Sequence, residues 1–236
     1  MLPDSFRLTV ESRTLKSRIL GGEFREKCVQ SICYNRNTKE YLVGFSHNDD
    51  PDLSTIVRLD APELTDGHVK AVHRDLQLGH INDMQYAPNK RVYVARGDNT
   101  IAVLNSDLSF HKIVTVDIPV WSLARFSNGD WLLAEDGNAW RYDSDFKRIG
   151  RINMNRLAAD CLGYWQGAFI YDGTPYMIFS QLNDAGDFIS CLLVSPEDIR
   201  RYATPYETEG ACMVGSRLWF VYGQKYAGTA VWDTGG

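Results

Sequence analysis

The chain has 236 residues, a formal net charge of −5 and 12% aromatic residues. That balance, without any dense run of Lys and Arg, argues against duplex nucleic acid as the main ligand, because phosphate affinity needs clustered positive charge. No apolar stretch approaches membrane-spanning length, and the start, Met1-Leu2-Pro3-Asp4-Ser5, lacks the basic segment and apolar run of a secretory signal, so neither membrane insertion nor a signal peptide is expected.

Taken in chain order, the first element is an alternating stretch from Phe6 to Val10 and on through Leu15 to Leu20, which predicts a strand. Five similar units follow. Gln30-Ser31-Ile32-Cys33-Tyr34 leads through a turn into Tyr41-Leu42-Val43. Asn82-Asp83-Met84-Gln85-Tyr86 leads into Val92-Tyr93-Val94. Trp121-Ser122-Leu123-Ala124-Arg125-Phe126 leads into Trp131-Leu132-Leu133. Gln166-Gly167-Ala168-Phe169-Ile170-Tyr171 leads into Tyr176-Met177-Ile178, and Glu209-Gly210-Ala211-Cys212-Met213 into Leu218-Trp219-Phe220. Spacings of about 40 to 50 residues between such units fit propeller blades better than a single barrel.

Two more strands are readable in each unit. In the second, Gly97-Asp98-Asn99 turns into Thr100–Leu104, and Asn105-Ser106-Asp107 turns into Phe110–Val116. The third repeats this through Asp136-Gly137-Asn138 and Ser144-Asp145. Asp, Asn and Gly accept the positive φ of tight hairpins. The expectation is an all-β, five-bladed β-propeller with four antiparallel strands per blade, forming a single domain over residues 1–236. The last unit runs out after its third strand at Val231-Trp232, so the N-terminal strand within residues 6–20 is expected to complete it and remove an open edge. Residues 196–202 read equally as a turn of helix or a short outer strand.

In a propeller the first strand of each blade lines the central channel. Its leading residues form a ring at one mouth: Gln30, Asn82, Trp121, Gln166 and Glu209. Amides both donate and accept hydrogen bonds, and an indole offers a flat apolar face, a mixture that suits a neutral, hydroxyl-rich ligand such as a sugar. The bland alternative is that these side chains bond one another and channel water. The next position, Ser31, Asp83, Ser122, Gly167 and Gly210, is mostly small. It either keeps the channel open or lets backbones approach.

Asp83 and Glu209 form a candidate carboxylate pair for glycoside hydrolysis, and with Asn82 a candidate Ca²⁺ set. The acidic set is thin, so no catalytic residue, metal or cofactor is assigned. Gly79-His80-Ile81-Asn82-Asp83 places His80 beside the ring, either as a ligand-binding group or as a packing histidine. His47, His68, His73 and His111 form no metal pattern. The five cysteines, Cys28, Cys33, Cys161, Cys191 and Cys212, read as small buried hydrophobes of a reduced protein. Two longer connections, residues 47–54 and 181–187, join second to third strands and are expected on one face.

The phrase Gly79-His80-x-Asn82-Asp83-Met84-x-Tyr86-x-Pro88-Asn89 resembles one found in five-bladed propellers of Gram-positive bacteria and their phages. The units beginning at Gln30 and Gln166 are similar to those of the helveticin-like family and of phage tail receptor-binding platforms. This resemblance implies attachment to a cell-surface glycan or teichoic acid, with protein partners in a virion and a location in the virion or the cytoplasm. Trp121 and Glu209 depart from the amide of the other three units. The sequence therefore predicts a glycan-binding module in which Gln30, His80, Asn82, Asp83, Trp121, Gln166 and Glu209 contact the ligand. A hydrolase on the same scaffold and a protein–protein docking platform are the alternatives.

Overall fold

Two Asp-Gly pairs show how the turns set the strands. Asp136 and Gly137 have φ of 38° and 78°, and Asp172 and Gly173 have φ of 49° and 76°. Positive φ at both central residues defines the type I′ hairpin, whose twist matches that of the strands it joins. Turns of this kind recur through the computed structural model, which describes residues 27–62, 66–215, 217–223 and 228–233.

The strands form five antiparallel sheets in chain order. The first holds β1 (Lys27–Asn35), β2 (Glu40–His47), β3 (Ser54–Leu59) and β4 (Val69–Leu76). The second holds β5 (Asp83–Ala87), β6 (Arg91–Ala95), β7 (Thr100–Asn105) and β8 (Phe110–Thr115). The third holds β9 (Ser122–Arg125), β10 (Trp131–Glu135), β11 (Asn138–Tyr142) and β12 (Arg148–Ile152). The fourth holds β13 (Gly163–Tyr171), β14 (Thr174–Leu182), β15 (Phe188–Val194) and β16 (Ile199–Ala203). The fifth holds β17 (Glu207–Val214), β18 (Arg217–Gly223) and β19 (Gly228–Asp233).

Burial follows strand position. The second and third strands are nearly continuous apolar runs, as in β6 and β10, because both faces of each sheet are covered. Outer strands such as β8 and β12 are largely exposed. The inner strands pack side by side in a closed ring: β1 on β5, β5 on β9, β9 on β13, β13 on β17 and β17 on β1. A separate core fills each gap. Cys33, Leu42 and Ile56 meet Ile81, Met84 and Val94. Tyr93 and Val103 meet Leu123 and Trp131, whose ring centroid lies 4.5 Å from that of Tyr93. Ala124, Leu132 and Ala134 meet Ala168 and Met177. Phe169 and Ile178 meet Leu218 and Phe220, and Trp219 and Val221 meet Val29 and Phe45. Stacking sheets face to face with no shared centre is what makes the arrangement modular.

The expectation of five complete four-stranded blades is corrected to four among the described residues: the first four sheets have four strands each, and the fifth has three. The N-terminal strand expected to complete it, within residues 6–20, lies outside the described residues. Residues 196–202 divide between the Ser195–Asp198 turn and β16, an outer strand and not a helix; Ser195 Oγ accepts the backbone N–H of both Glu197 and Asp198. His47 is also displaced from its expected place: it ends β2, buried, with Nε2 2.9 Å from Thr55 Oγ1.

Candidate ligand site at the channel mouth

Three of the five ring residues stand on β-bulges. In β1 the pairing slips between Val29 and Ser31, leaving Gln30 unmatched; in β13 it slips across Gln166-Gly167, and in β17 across Glu209-Gly210. An extra residue in one strand bends it and re-aims the side chain. The other two, Asn82 and Trp121, sit one residue before β5 and β9 begin. Five repeats thus reach one mouth by two different backbone devices.

One position deeper the channel narrows to a throat. A Cβ placed on Gly210 would lie 2.8 Å from Ser31 Cα and 3.0 Å from Gln30 O, and one on Gly167 would lie 3.0 Å from Gly210 Cα. Glycine is required here because neighbouring inner strands touch backbone to backbone. The small position therefore serves close approach rather than an open bore. Asp83 is the exception, and its carboxylate crosses the throat. Oδ1 accepts the Met84 N–H at 2.9 Å, and Oδ2 accepts the Leu123 N–H at 3.1 Å and the Ala168 N–H at 3.0 Å. Burial pushes its pKa up to about 8, against the pull of these three backbone donors. Asp83 ties three sheets together and does not line the mouth. That is a correction to its expected ligand-binding role, and it separates Asp83 from Glu209 both as a catalytic pair and as a Ca²⁺ set.

Above the throat lies a cavity of about 340 Å³, lined by Cys28, Gln30, His80, Asn82, Trp121, Tyr164, Trp165, Gln166, Glu207 and Glu209. Its floor is polar. Gln166 Nε2 donates to Glu207 Oε1 at 2.9 Å. The Glu207 and Glu209 carboxyls line the same cavity, close enough to influence each other. Burial, then the neighbouring Glu207 charge, hold Glu209 well above the usual carboxylate range, while burial raises Glu207 to about 7. Two close carboxyls in a desolvated site cannot both ionise, so the pair shares a proton near neutral pH.

The walls are aromatic. Trp121 is 44% exposed and Tyr164 54% exposed. Trp165 packs over the β10–β11 turn, where a Cβ on Gly137 would meet its indole at 2.7 Å. His80, at the rim, bonds through Nδ1 to Asn82 Oδ1, and partial desolvation lowers its pKa from the ordinary 6.5. The Asn82 Nδ2 amide is buried without a partner.

The structure brings six of the seven expected residues together around one cavity and sends Asp83 into the throat. It adds Cys28, Tyr164, Trp165 and Glu207. Glu207 is two residues before Glu209, a same-face spacing that marks it in hindsight. The adjacent Tyr164 and Trp165 are reached because β13 starts three residues earlier than its repeat suggests. Among the described residues no group of three or more His, Cys, Asp or Glu side chains is placed to share a metal ion. The two long connections leave on this face: His47 pairs with Lys27 at the start of β1, and Gln181 with Gly163 at the start of β13.

Four-stranded antiparallel sheets set edge-inward around a channel, with a polar cavity at one mouth, define a β-propeller. The sequence matches no protein-family model and no curated protein. Among solved structures the chain is similar to Myxococcus xanthus glutaminyl cyclase, with 10% identity over 97% of this chain and 96% of that one and a TM-score of 0.62. It is also similar to a chain of a nidogen/laminin complex, with 11% identity over 84% of this chain and 73% of that one and a TM-score of 0.52. The WD40 β-propeller domain of Doa1 matches at 15% identity over 86% of this chain and 78% of that one, with a TM-score of 0.49. At these identities the likeness is one of fold. Nothing in them links the chain to phage tail platforms or helveticin-like proteins.

Proposed function

We propose that the channel mouth binds a neutral, hydroxyl-rich ligand, a saccharide of a bacterial cell surface, without cleaving it. The observation that carries this reading is a cavity in which the Gln30, Asn82 and Gln166 amides share the lining with the half-exposed Trp121 indole. Sugars present hydroxyl acceptors and donors on their edges and C–H faces above and below, which match amides and an indole respectively. Gln30, Gln166 and the proton-sharing Glu207–Glu209 pair extend the same chemistry, since a half-protonated pair both donates and accepts.

Acid–base hydrolysis of a glycoside or an amide is the second reading, favoured by the same pair: the two carboxyls line one cavity and burial raises both, so one holds a proton while its neighbour accepts one.

The test is to titrate the protein with purified wall polysaccharide and neutral disaccharides, following tryptophan fluorescence and the release of reducing ends and of ammonia. Saturable quenching without product supports binding. Steady release of either product that disappears in Glu209→Gln replaces it with the enzyme.

A further inference from the structure

The opposite mouth of the channel has the reverse electrostatics. Each inner strand starts at the carboxyl-bearing mouth, so the ends of β1, β5, β9, β13 and β17 converge at the other. There they line a cavity of about 790 Å³. Arg36 comes from the β1–β2 turn, Lys90 from the β5–β6 turn and Arg125 from the end of β9; Asp172 is the one carboxylate on the lining. The local excess is positive in a chain whose net charge is −5.

Several basic side chains elsewhere are neutralised by a neighbouring carboxylate. Arg58 pairs with Glu40, Arg141 with Asp130, Arg148 with Asp117 and Arg200 with Asp198. No ion pair joins Arg36, Lys90 or Arg125 to a carboxylate among the described residues. Arg125 is also held in place: its guanidinium lies 5.5 Å from the Trp131 ring centroid, and a Cβ on Gly129 would sit 3.2 Å from its Nη2. Its Nε is buried with no hydrogen-bond partner. A guanidinium held on the cavity lining in this way is suited to a planar or tetrahedral oxyanion. Tyr34 and Phe126 add apolar wall beside the charges.

We propose that this second mouth binds a phosphate ester, with the oxyanion held by Arg36, Lys90 and Arg125 and the organic part against Tyr34 and Phe126. Three cations from three separate sheets line one cavity only because the strand ends share an axis. An oxyanion carried on an apolar body answers the cations and the aromatic wall together, where a bare anion answers only the first.

The experiment compares inorganic phosphate, phenyl phosphate and phenol by calorimetric titration against the full chain at low salt. Phenyl phosphate is expected to bind more tightly than either of the others. Arg36→Gln and Lys90→Gln, both on exposed turns, are expected to fold as wild type and each to weaken phenyl phosphate by about tenfold, the scale of one lost charge-assisted hydrogen bond. Trp121→Ala, at the other mouth, leaves it unchanged, which separates this site from the saccharide site. Phenol binding as tightly as phenyl phosphate, or full affinity in the Arg36→Gln, Lys90→Gln double variant, overturns the anion site. Inorganic phosphate binding as tightly as phenyl phosphate overturns the ester.

Discussion

Asp83 on β5 accepts the backbone N–H of Ala168 on β13 at 3.0 Å, a bond that spans 85 positions of sequence and the width of the channel. The same oxygen takes the Leu123 N–H of β9. One buried carboxylate therefore fixes the spacing of three inner strands, below the cavity and out of reach of its ligand.

Replacing Asp83 by Ala strands three buried N–H groups. Each unmatched donor costs about 1–3 kcal/mol, so the variant is expected to lose about 3 kcal/mol or more of stability. Chemical denaturation checks this. A loss below about 1 kcal/mol, the scale of a single ordinary hydrogen bond, means the throat is hydrated and the carboxylate dispensable.

Gly210→Ala tests the close approach of β17 and β1. The new methyl would meet Ser31 Cα, Gln30 O and Ile32 N, all backbone atoms at 2.8–3.1 Å, so the strands must part. Overpacking of this kind costs about 1–3 kcal/mol. Gly150→Ala, on the exposed β12 with nothing within 4 Å of the added methyl, is the matched control and should be neutral or slightly stabilising. Equal melting temperatures for the two variants would show that the inner strands have slack.

Trp121→Ala should weaken saccharide binding by about 1–3 kcal/mol, the range for an aromatic anchor, with little change in stability because the indole is 44% exposed. The readout is the fluorescence titration alongside a thermal melt. Binding that survives intact removes the indole from the contact surface.

The Glu207–Glu209 pair makes stability fall as pH rises. Both folded-state pKa values lie above the unfolded ones, Glu207 moving from 4.5 to about 7, so the folded protein holds protons that the unfolded chain has released. The stabilisation is complete below about pH 4.5 and is lost as pH climbs through about 7. Asp83, raised from 3.8 to about 8, acts in the same direction. Asp60, Asp107, Asp117 and Asp130 are held below their ordinary value by hydrogen bonds from their neighbours, and their contribution is lost only on acidification below about 4. Denaturation midpoints are thus expected to drop between pH 5 and pH 8. Glu209→Gln, which keeps a hydrogen-bond donor facing Glu207 but cannot ionise, should flatten that drop while leaving saccharide binding largely intact. An unchanged slope in Glu209→Gln would place the linkage in Glu207 and Asp83.

By itself the sequence determined the repeat, its turns and the height of each ring residue. Asp-Gly pairs demand positive φ wherever they stand, and alternating apolar runs of about 5 residues between them have few ways to pair other than as consecutive hairpins. Gln30, Asn82, Trp121, Gln166 and Glu209 were legible as one ring for that reason: equal places in equal units. What each side chain faces was decided only by the tertiary structure. Bulges at Gln30, Gln166-Gly167 and Glu209-Gly210 break the two-residue alternation, so facing there no longer follows from parity. Asp83 follows a ring residue just as Ser31 and Gly210 do, yet only the closure of the ring brings the Leu123 and Ala168 donors to it. The basic mouth arises in the same way. Arg36, Lys90 and Arg125 are isolated charges along the chain, and they come to line one cavity because the strand ends that carry them converge on one axis.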